Sequence, residues 1–267
     1  MAFDNSEDLE PTPGQRLRNF VQRKDVTQTI ILGVVITALF TIFGLYAYPN
    51  WMPAVHSKEM HSARLIMTIF TVLSAPIGGF VLAITVRAFL NMHRGDTPPP
   101  DQEVSEKSNT PAILVWCFTT GAFVVAAIVI GLLVYNSDTN SAVADAPDAI
   151  TVEVTGAQWV WSFYYPAQNI HTHTLELPTG QPVDFKVTSV DVNHSFWPVQ
   201  LGIKVDANRL VTTTAEARPT ILGHIDIRCA ELCGLNHAFM ETGGAVVTAS
   251  DFDTWVKSIK ATGGIEQ

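Results

Sequence analysis

Between Cys229 and Met240 the chain reads C-A-E-L-C-G-L-N-H-A-F-M, placing two thiols, an imidazole and a thioether at spacings C-x3-C-x3-H-x2-M. His194 supplies a second imidazole from an upstream strand. Thiolate, imidazole and a weak thioether form the donor set that suits copper in electron-transfer sites. Without Cys229, the residues His194, Cys233, His237 and Met240 would suffice for a mononuclear blue-copper site. The additional thiolate allows two sulfurs to bridge two coppers, each completed by one imidazole, with Met240 and a backbone carbonyl as weak outer ligands. Bridging spreads one electron over two metals, so little geometry has to change on transfer. Two other readings of these residues stay open. Cys229 and Cys233 can pair as a disulfide in an oxidising compartment. Two Cys and two His can also hold zinc, although zinc sites rarely enlist Met.

The elements that position these donors read as an all-β, antiparallel domain. Alternating and β-branched runs predict strands at Thr151–Val154, Trp159–Tyr165, His173–Leu177, Val183–Val187, Ile203–Val205, Gly223–Arg228 and Gly244–Thr248. Many short strands separated by turn residues suggest a sandwich or Greek-key barrel. Asp251–Lys260 predicts a short closing helix capped by Asp251. His171 and His173 form an H-x-H with no third ligand near in sequence, which reads as a solvated hairpin. Ser137–Ala149 is a polar, acidic tether to this domain.

The preceding half belongs in a bilayer. Thr29–Tyr48, Leu65–Val86 and Pro111–Tyr135 are apolar runs without an acidic, basic or histidine side chain, and roughly 20 such residues span a hydrocarbon core. Pro76, Gly78 and Gly79 predict a kink in the second, and Cys117 in the third reads as a small packing residue. The first run is too long for a signal-peptide core and follows a polar leader, residues 1–28, so it is a retained helix. Arg16, Arg18, Arg23 and Lys24 flank the first helix, and Arg87, Arg94 and Lys107 lie between the second and third. These basic residues place the N-terminus in the cytoplasm and residues 137–267 outside. Thr97–Ser108 is then a cytoplasmic connector.

Charge separates the halves further. Residues 1–136 carry 10 acidic and 9 basic side chains, whereas residues 137–267 carry 15 and 7, a net of −8. The acidic balance excludes nucleic-acid binding. No C-x-x-C-H occurs, so no covalent haem is carried. The apolar spans have no acidic, basic or histidine residue to hold a haem-copper centre or move protons, so oxygen chemistry would belong to another chain.

From about Leu65 onward the chain resembles subunit II of haem–copper cytochrome c oxidases. The resemblance rests on Gly156–Tyr165 (GAQWVWSFYY), His194–Trp197 (HSFW), Gly202–Ala207 (GIKVDA) and the Cys229–Met240 loop. It implies a cupredoxin-like Greek-key domain holding a binuclear CuA centre of two copper ions, on an integral protein of a bacterial cytoplasmic membrane. The implied copper ligands are His194, Cys229, Cys233, His237 and Met240 by side chain and Glu231 by backbone carbonyl. The Glu231 side chain would also face a magnesium site shared with subunit I. Trp159 matches the family's electron-entry tryptophan, although Trp161 lies two residues on. Asp191 matches a position in its acidic docking face for cytochrome c. Glu103 and Glu106 are candidates for a proton-path mouth, and neither aligns cleanly. The implied activity is electron transfer from cytochrome c to haem in subunit I, for oxygen reduction coupled to proton translocation, among other oxidase subunits and membrane lipid.

Departures from the family pattern are the extra helix at Thr29–Tyr48, the run S-F-W-P-V after His194, and a shortened A-N-R-L after Asp206. A CuA-bearing inlet of a nitric oxide reductase-like complex and a membrane-anchored copper-delivery protein are the alternatives. A quinol oxidase subunit would lack the copper ligands.

Overall fold

The computed structural model describes residues 24–91, 110–139, 146 and 148–266. The leader up to Arg23, the connector Thr97–Ser108 with Glu103 and Glu106, and most of the tether lie outside the described residues. Three long helices precede the β domain: α1 (Lys24–Trp51, with one wide turn at Phe43–Ala47), α2 (Lys58–Asn91) and α3 (Thr110–Thr139). At about 1.5 Å per residue each is long enough for a hydrocarbon core of about 30 Å. Their apolar side chains project outward, and the apolar window of α3 buries none. Cys117 is among these exposed residues rather than packed. Helix α2 runs continuously through Pro76.

The remainder is a sandwich of two five-stranded sheets. The first has the order β3 (Ile170–Thr172), β2 (Val160–Tyr165), β1 (Ile150–Ala157), β5 (Val183–Ser189), β8 (Thr213–Ala217). The second runs β4 (Leu175–Pro178), β10 (Glu241–Val247), β9 (Gly223–Cys229), β6 (His194–Pro198), β7 (Val205–Ala207). The chain passes between sheets, as in the expected cupredoxin-like Greek key. One correction concerns strand direction. β1 pairs with β5, and β4 with β10, in parallel, because crossovers return strands pointing the same way.

Alternation explains the core. On β1, Ile150, Val152 and Val154 face inward, while Glu153 faces out. Trp161, Phe163, Phe185 and Phe196 meet between the sheets, with the Phe196 ring 5.4–6.1 Å from the other three. A closing helix, α4 (Ala249–Ala261), buries Phe252, Val256 and Ile259. Its cap is Thr248 rather than Asp251: the Thr248 hydroxyl accepts from the Asp251 amide at 3.2 Å and donates to the Asp251 carboxylate at 2.7 Å. The helix therefore starts earlier than its acidic residue suggested.

The two ends of the sandwich differ. At the base, the segment leading into α2 is bonded to the sheets. The Ser57 hydroxyl donates to the Leu201 carbonyl, and the Glu59 carboxylate accepts from the Arg218 amide. At the opposite, apical end lie four connections: 158–159, 190–193, 208–212 and 230–240. The β6–β9 register, with Phe196 opposite Cys229, brings the start of one strand beside the end of the other.

Candidate metal centre

His194 opens β6 and Cys229 closes β9, so both side chains enter the apical end from the same sheet. The loop from Ala230 then folds back to place Cys233, His237 and Met240 beside them. The Cys229 Sγ lies 3.7 Å from the Cys233 Sγ, 3.9 Å from the His194 Nδ1 and 3.2 Å from the Glu231 carbonyl oxygen. The Cys233 Sγ lies 3.5 Å from the His237 Nδ1 and 3.7 Å from the Met240 Sδ. A sulfur separation of 3.7 Å is far beyond a bond of about 2.05 Å, so the cysteines are free thiols rather than the disulfide entertained from sequence. Burial, followed by the adjoining Cys229, pushes the Cys233 thiol up to about 11. Two crowded, buried sulfurs resist ionising together unless a cation lies between them.

Each donor has a structural reason for its place. The His194 ring is fully buried, edge-on to Trp161 at 5.9 Å between centroids. It rests on Gly156, where a Cβ would stand 3.0 Å from its Cδ2. The His194 Nε2 bonds the Asp191 carboxylate at 2.9 Å, leaving Nδ1 facing the sulfurs. Asp191 in turn accepts from the Gln158 and Val192 amides, both at 2.7 Å. Desolvation raises this carboxyl, but the bonds from His194, Gln158 and Val192 outweigh it and hold Asp191 near 2. A carboxylate so engaged orients an imidazole, as buried partners of metal-binding histidines do.

Gln158 escaped sequence reading. Its side-chain amide donates to the Cys233 carbonyl at 2.6 Å while its backbone bonds Asp191, tying the β1–β2 turn to the thiol loop. Gly234, at φ +121°, makes that approach possible, since a Cβ there would stand 2.9 Å from the Gln158 amide nitrogen and 3.4 Å from the Trp159 ring. Trp159 is half-buried in the turn beside the thiol loop, whereas Trp161 is core. The only hint in sequence was the turn-forming G-A-Q-W itself. Glu231 is exposed, while its backbone carbonyl lies against the Cys229 sulfur.

The donor set fits a copper centre: soft sulfurs and imidazole nitrogens converge, and a thioether joins them where zinc would rarely use one. Among the described residues, His194, Cys229 and Cys233 form the one His/Cys/acidic group whose ligand atoms approach within 4.8 Å. His171 and His173 stay outside it. His171 stacks on Tyr164 at 4.3 Å, and the His173 Nδ1 lies 2.9 Å from the Trp161 carbonyl oxygen.

Residues 169–248 match the family described as cytochrome c oxidase subunit II, periplasmic domain. The chain is 40% identical over 116 residues to cytochrome c oxidase subunit 2 of Thermostichus vulcanus, covering 43% of this chain and 35% of that protein. It is 30% identical over 177 residues to alternative cytochrome c oxidase subunit 2 of Bradyrhizobium diazoefficiens, covering 55% and 62% respectively. The matches thus span from about a third to three-fifths of these curated relatives. The crystal structure of the periplasmic domain of a Bradyrhizobium japonicum cytochrome oxidase subunit II is 28% identical, with a TM-score of 0.41, over 42% of this chain and 94% of that one. Over this stretch of its β domain, therefore, the chain is similar to the periplasmic domain of cytochrome c oxidase subunit II.

Proposed function

We propose that the chain is the electron-inlet subunit of a respiratory terminal oxidase. It takes electrons from cytochrome c and passes them to haem in a partner subunit, where oxygen reduction is coupled to proton translocation. The observation that carries this reading is the convergence of two free thiols, two imidazoles and a thioether at one buried apical site. Two copper ions would be held by His194, Cys229, Cys233, His237, Met240 and the Glu231 carbonyl. Held by these residues, they would supply reversible one-electron storage. The exposed Glu231 side chain is free to meet a magnesium ion at the partner interface. Asp191 keeps the His194 Nδ1 facing the sulfurs, and Trp159 is the entry point for the electron. The helices at 24–51, 58–91 and 110–139 anchor residues 137–267 on the outer side of a bacterial cytoplasmic membrane, with the N-terminus in the cytoplasm.

The test is copper loading of the full chain in detergent. Two coppers per chain, with an EPR pattern of one electron shared over both, are expected. Cys229→Ser should lose that pattern, because one bridge does not keep two metals in electronic contact. A delocalised two-copper signal persisting in this variant would overturn the ligand assignment.

A further inference from the structure

The apical end is dominated by exposed apolar side chains. Among the described residues of the β domain, eleven large apolar side chains are exposed, and eight stand at this end: Val160, Val190, Val192, Leu210, Val211, Leu232, Leu235 and Phe239. They are not marginal, since Leu210 and Leu235 are 92% and 91% exposed, and Phe239 and Leu232 78% and 76%. Such a cluster marks an interaction surface. The four apical connections hold only Asp191, Arg209 and Glu231 as charged residues, and Asp191 is occupied by His194 and two backbone amides. Counting the strand ends Asp206, Arg228 and Glu241 adds two acids and one base. These six give the apical end a net charge of −2, so most of the −8 of this half lies elsewhere. The patch is also remote from the segment at residues 56–59. The residues leading into α2 are bonded to the base, through Ser57 with Leu201 and Glu59 with Arg218, at the other end of the strands.

We infer that the electron donor docks on this end by apolar contact, and that its haem edge is framed by uncharged residues rather than a ring of lysines. This inference rests on the inlet reading above and names the partner that reading leaves general. Aliphatic and aromatic side chains around Trp159 match an apolar rim, while a lysine ring would lose its hydration here without meeting enough carboxylates. On this inference an apolar face stands where the resemblance implied an acidic one through Asp191. Without local charge to steer encounter, association falls to the slow, unsteered range of about 10⁵–10⁶ M⁻¹s⁻¹. A donor kept close by its own membrane anchor or a stable complex escapes that limit through effective concentration.

Binding of two probe cytochromes c to the copper-loaded full chain separates the cases: one basic with a lysine-ringed haem edge, one near-neutral with an apolar rim. Raising salt from about 10 to 150 mM shortens the screening length from roughly 30 to 8 Å. The apolar-rimmed probe should bind more tightly, with Kd changing by less than about twofold over that range. Leu235→Asp and Phe239→Asp should each weaken it about tenfold or more. Both side chains are exposed, so the fold should survive, and an unchanged copper spectrum would verify this. Preference for the lysine-ringed probe, with Kd rising steeply with salt and indifferent to both variants, would overturn the inference while leaving the inlet reading standing. So would release of the haem-bearing subunit from the assembled oxidase by these variants with donor binding intact. If neither probe binds or reduces an intact copper centre, the inlet reading fails and the inference with it.

Discussion

Two places in the sandwich turn polar groups inward, and they are satisfied differently. At the β3–β4 corner the chain meets its own needs. The Glu266 carboxylate lies 2.5 Å from the Thr172 hydroxyl and 2.9 Å from that of Thr174, and accepts from the His173 amide at 2.7 Å. The buried Tyr165 hydroxyl donates to the Glu176 carbonyl and accepts from the Glu176 amide. At the apical end, sulfurs and imidazoles face one another instead; the Asp191 carboxylate engages only the far nitrogen of His194, and among the described residues no cation lies against the two sulfurs. The corner is closed by covalently attached partners. The apical cluster is arranged for something that arrives from outside, and folding of that end should depend on it.

Metal removal is the largest test of this contrast. Loading with copper at a thousandfold excess over its Kd should stabilise the chain by about 4 kcal/mol. Stripping the metal should return that amount as a fall in midpoint in thermal unfolding. Hydrogen exchange should rise in residues 230–240 while the corner amides of His173 and Thr174 keep their protection. Equal loss at both ends would show that the apical loop is not a separate, metal-dependent region.

A second test separates the donors from the route to them. Trp159→Ala removes the aromatic packed beside Gly234 but touches no donor atom. It should slow electron entry by roughly thirtyfold, the equivalent of about 2 kcal/mol at a central aromatic contact. The copper spectrum should be unchanged. Normal transfer in stopped-flow reduction would remove Trp159 from the pathway.

What the sequence displayed, and what it hid, follows the same division. The donor loop was legible because Cys229, Cys233, His237 and Met240 lie within one short segment with diagnostic side chains. The three apolar helices were legible by length. Hidden were β3, β8 and the extent of β6, of which only the position of His194 on a strand was expected. β6 carries a proline and mixed H-S-F-W residues, and β8 is the small, polar T-T-A-E-A, so neither shows alternation. Their pairing with β9 and β5 makes them strands, and that is a tertiary cause. The part played by Asp191 was hidden for a similar reason. Its charge is visible in sequence, but the amides of Gln158 and Val192 that engage it are set by the fold.

The corner offers the next effect in size. Glu266→Ala would leave the Thr172 and Thr174 hydroxyls and the His173 amide without their acceptor, a loss of about 1–3 kcal/mol. It would also loosen the C-terminal segment, which is otherwise held by the His171 amide on the Gly264 carbonyl at 2.8 Å. Chemical unfolding should show the loss, and the copper spectrum should not change. A spectral change would mean that the two regions are coupled.

The smallest effect is a pH dependence confined to the corner. Burial, reinforced by the charge of Glu266 and opposed by His224, raises the Glu176 carboxyl to about 7. Glu266 moves the other way: desolvation would raise it, but its hydrogen bonds with Thr172, His173 and Thr174 hold it below the usual range. The signs therefore oppose. Between about pH 4.5 and 7 the folded chain binds more protons at Glu176 than the unfolded chain does, so its contribution is full at the acidic limit and is lost as pH rises through 7. The contribution of Glu266 is present above its unfolded value and is lost as pH falls through its lowered one. The corner should thus be most stable in weak acid. Because Glu176 is half-exposed, its share is discounted for solvent screening to about 1 kcal/mol. Glu176→Gln should flatten the decline between pH 5 and 8 in metal-free protein and leave the acid-side loss from Glu266 in place. If the decline persists in this variant, the titrating group lies elsewhere, and the corner is not the self-contained unit that its hydrogen bonds describe.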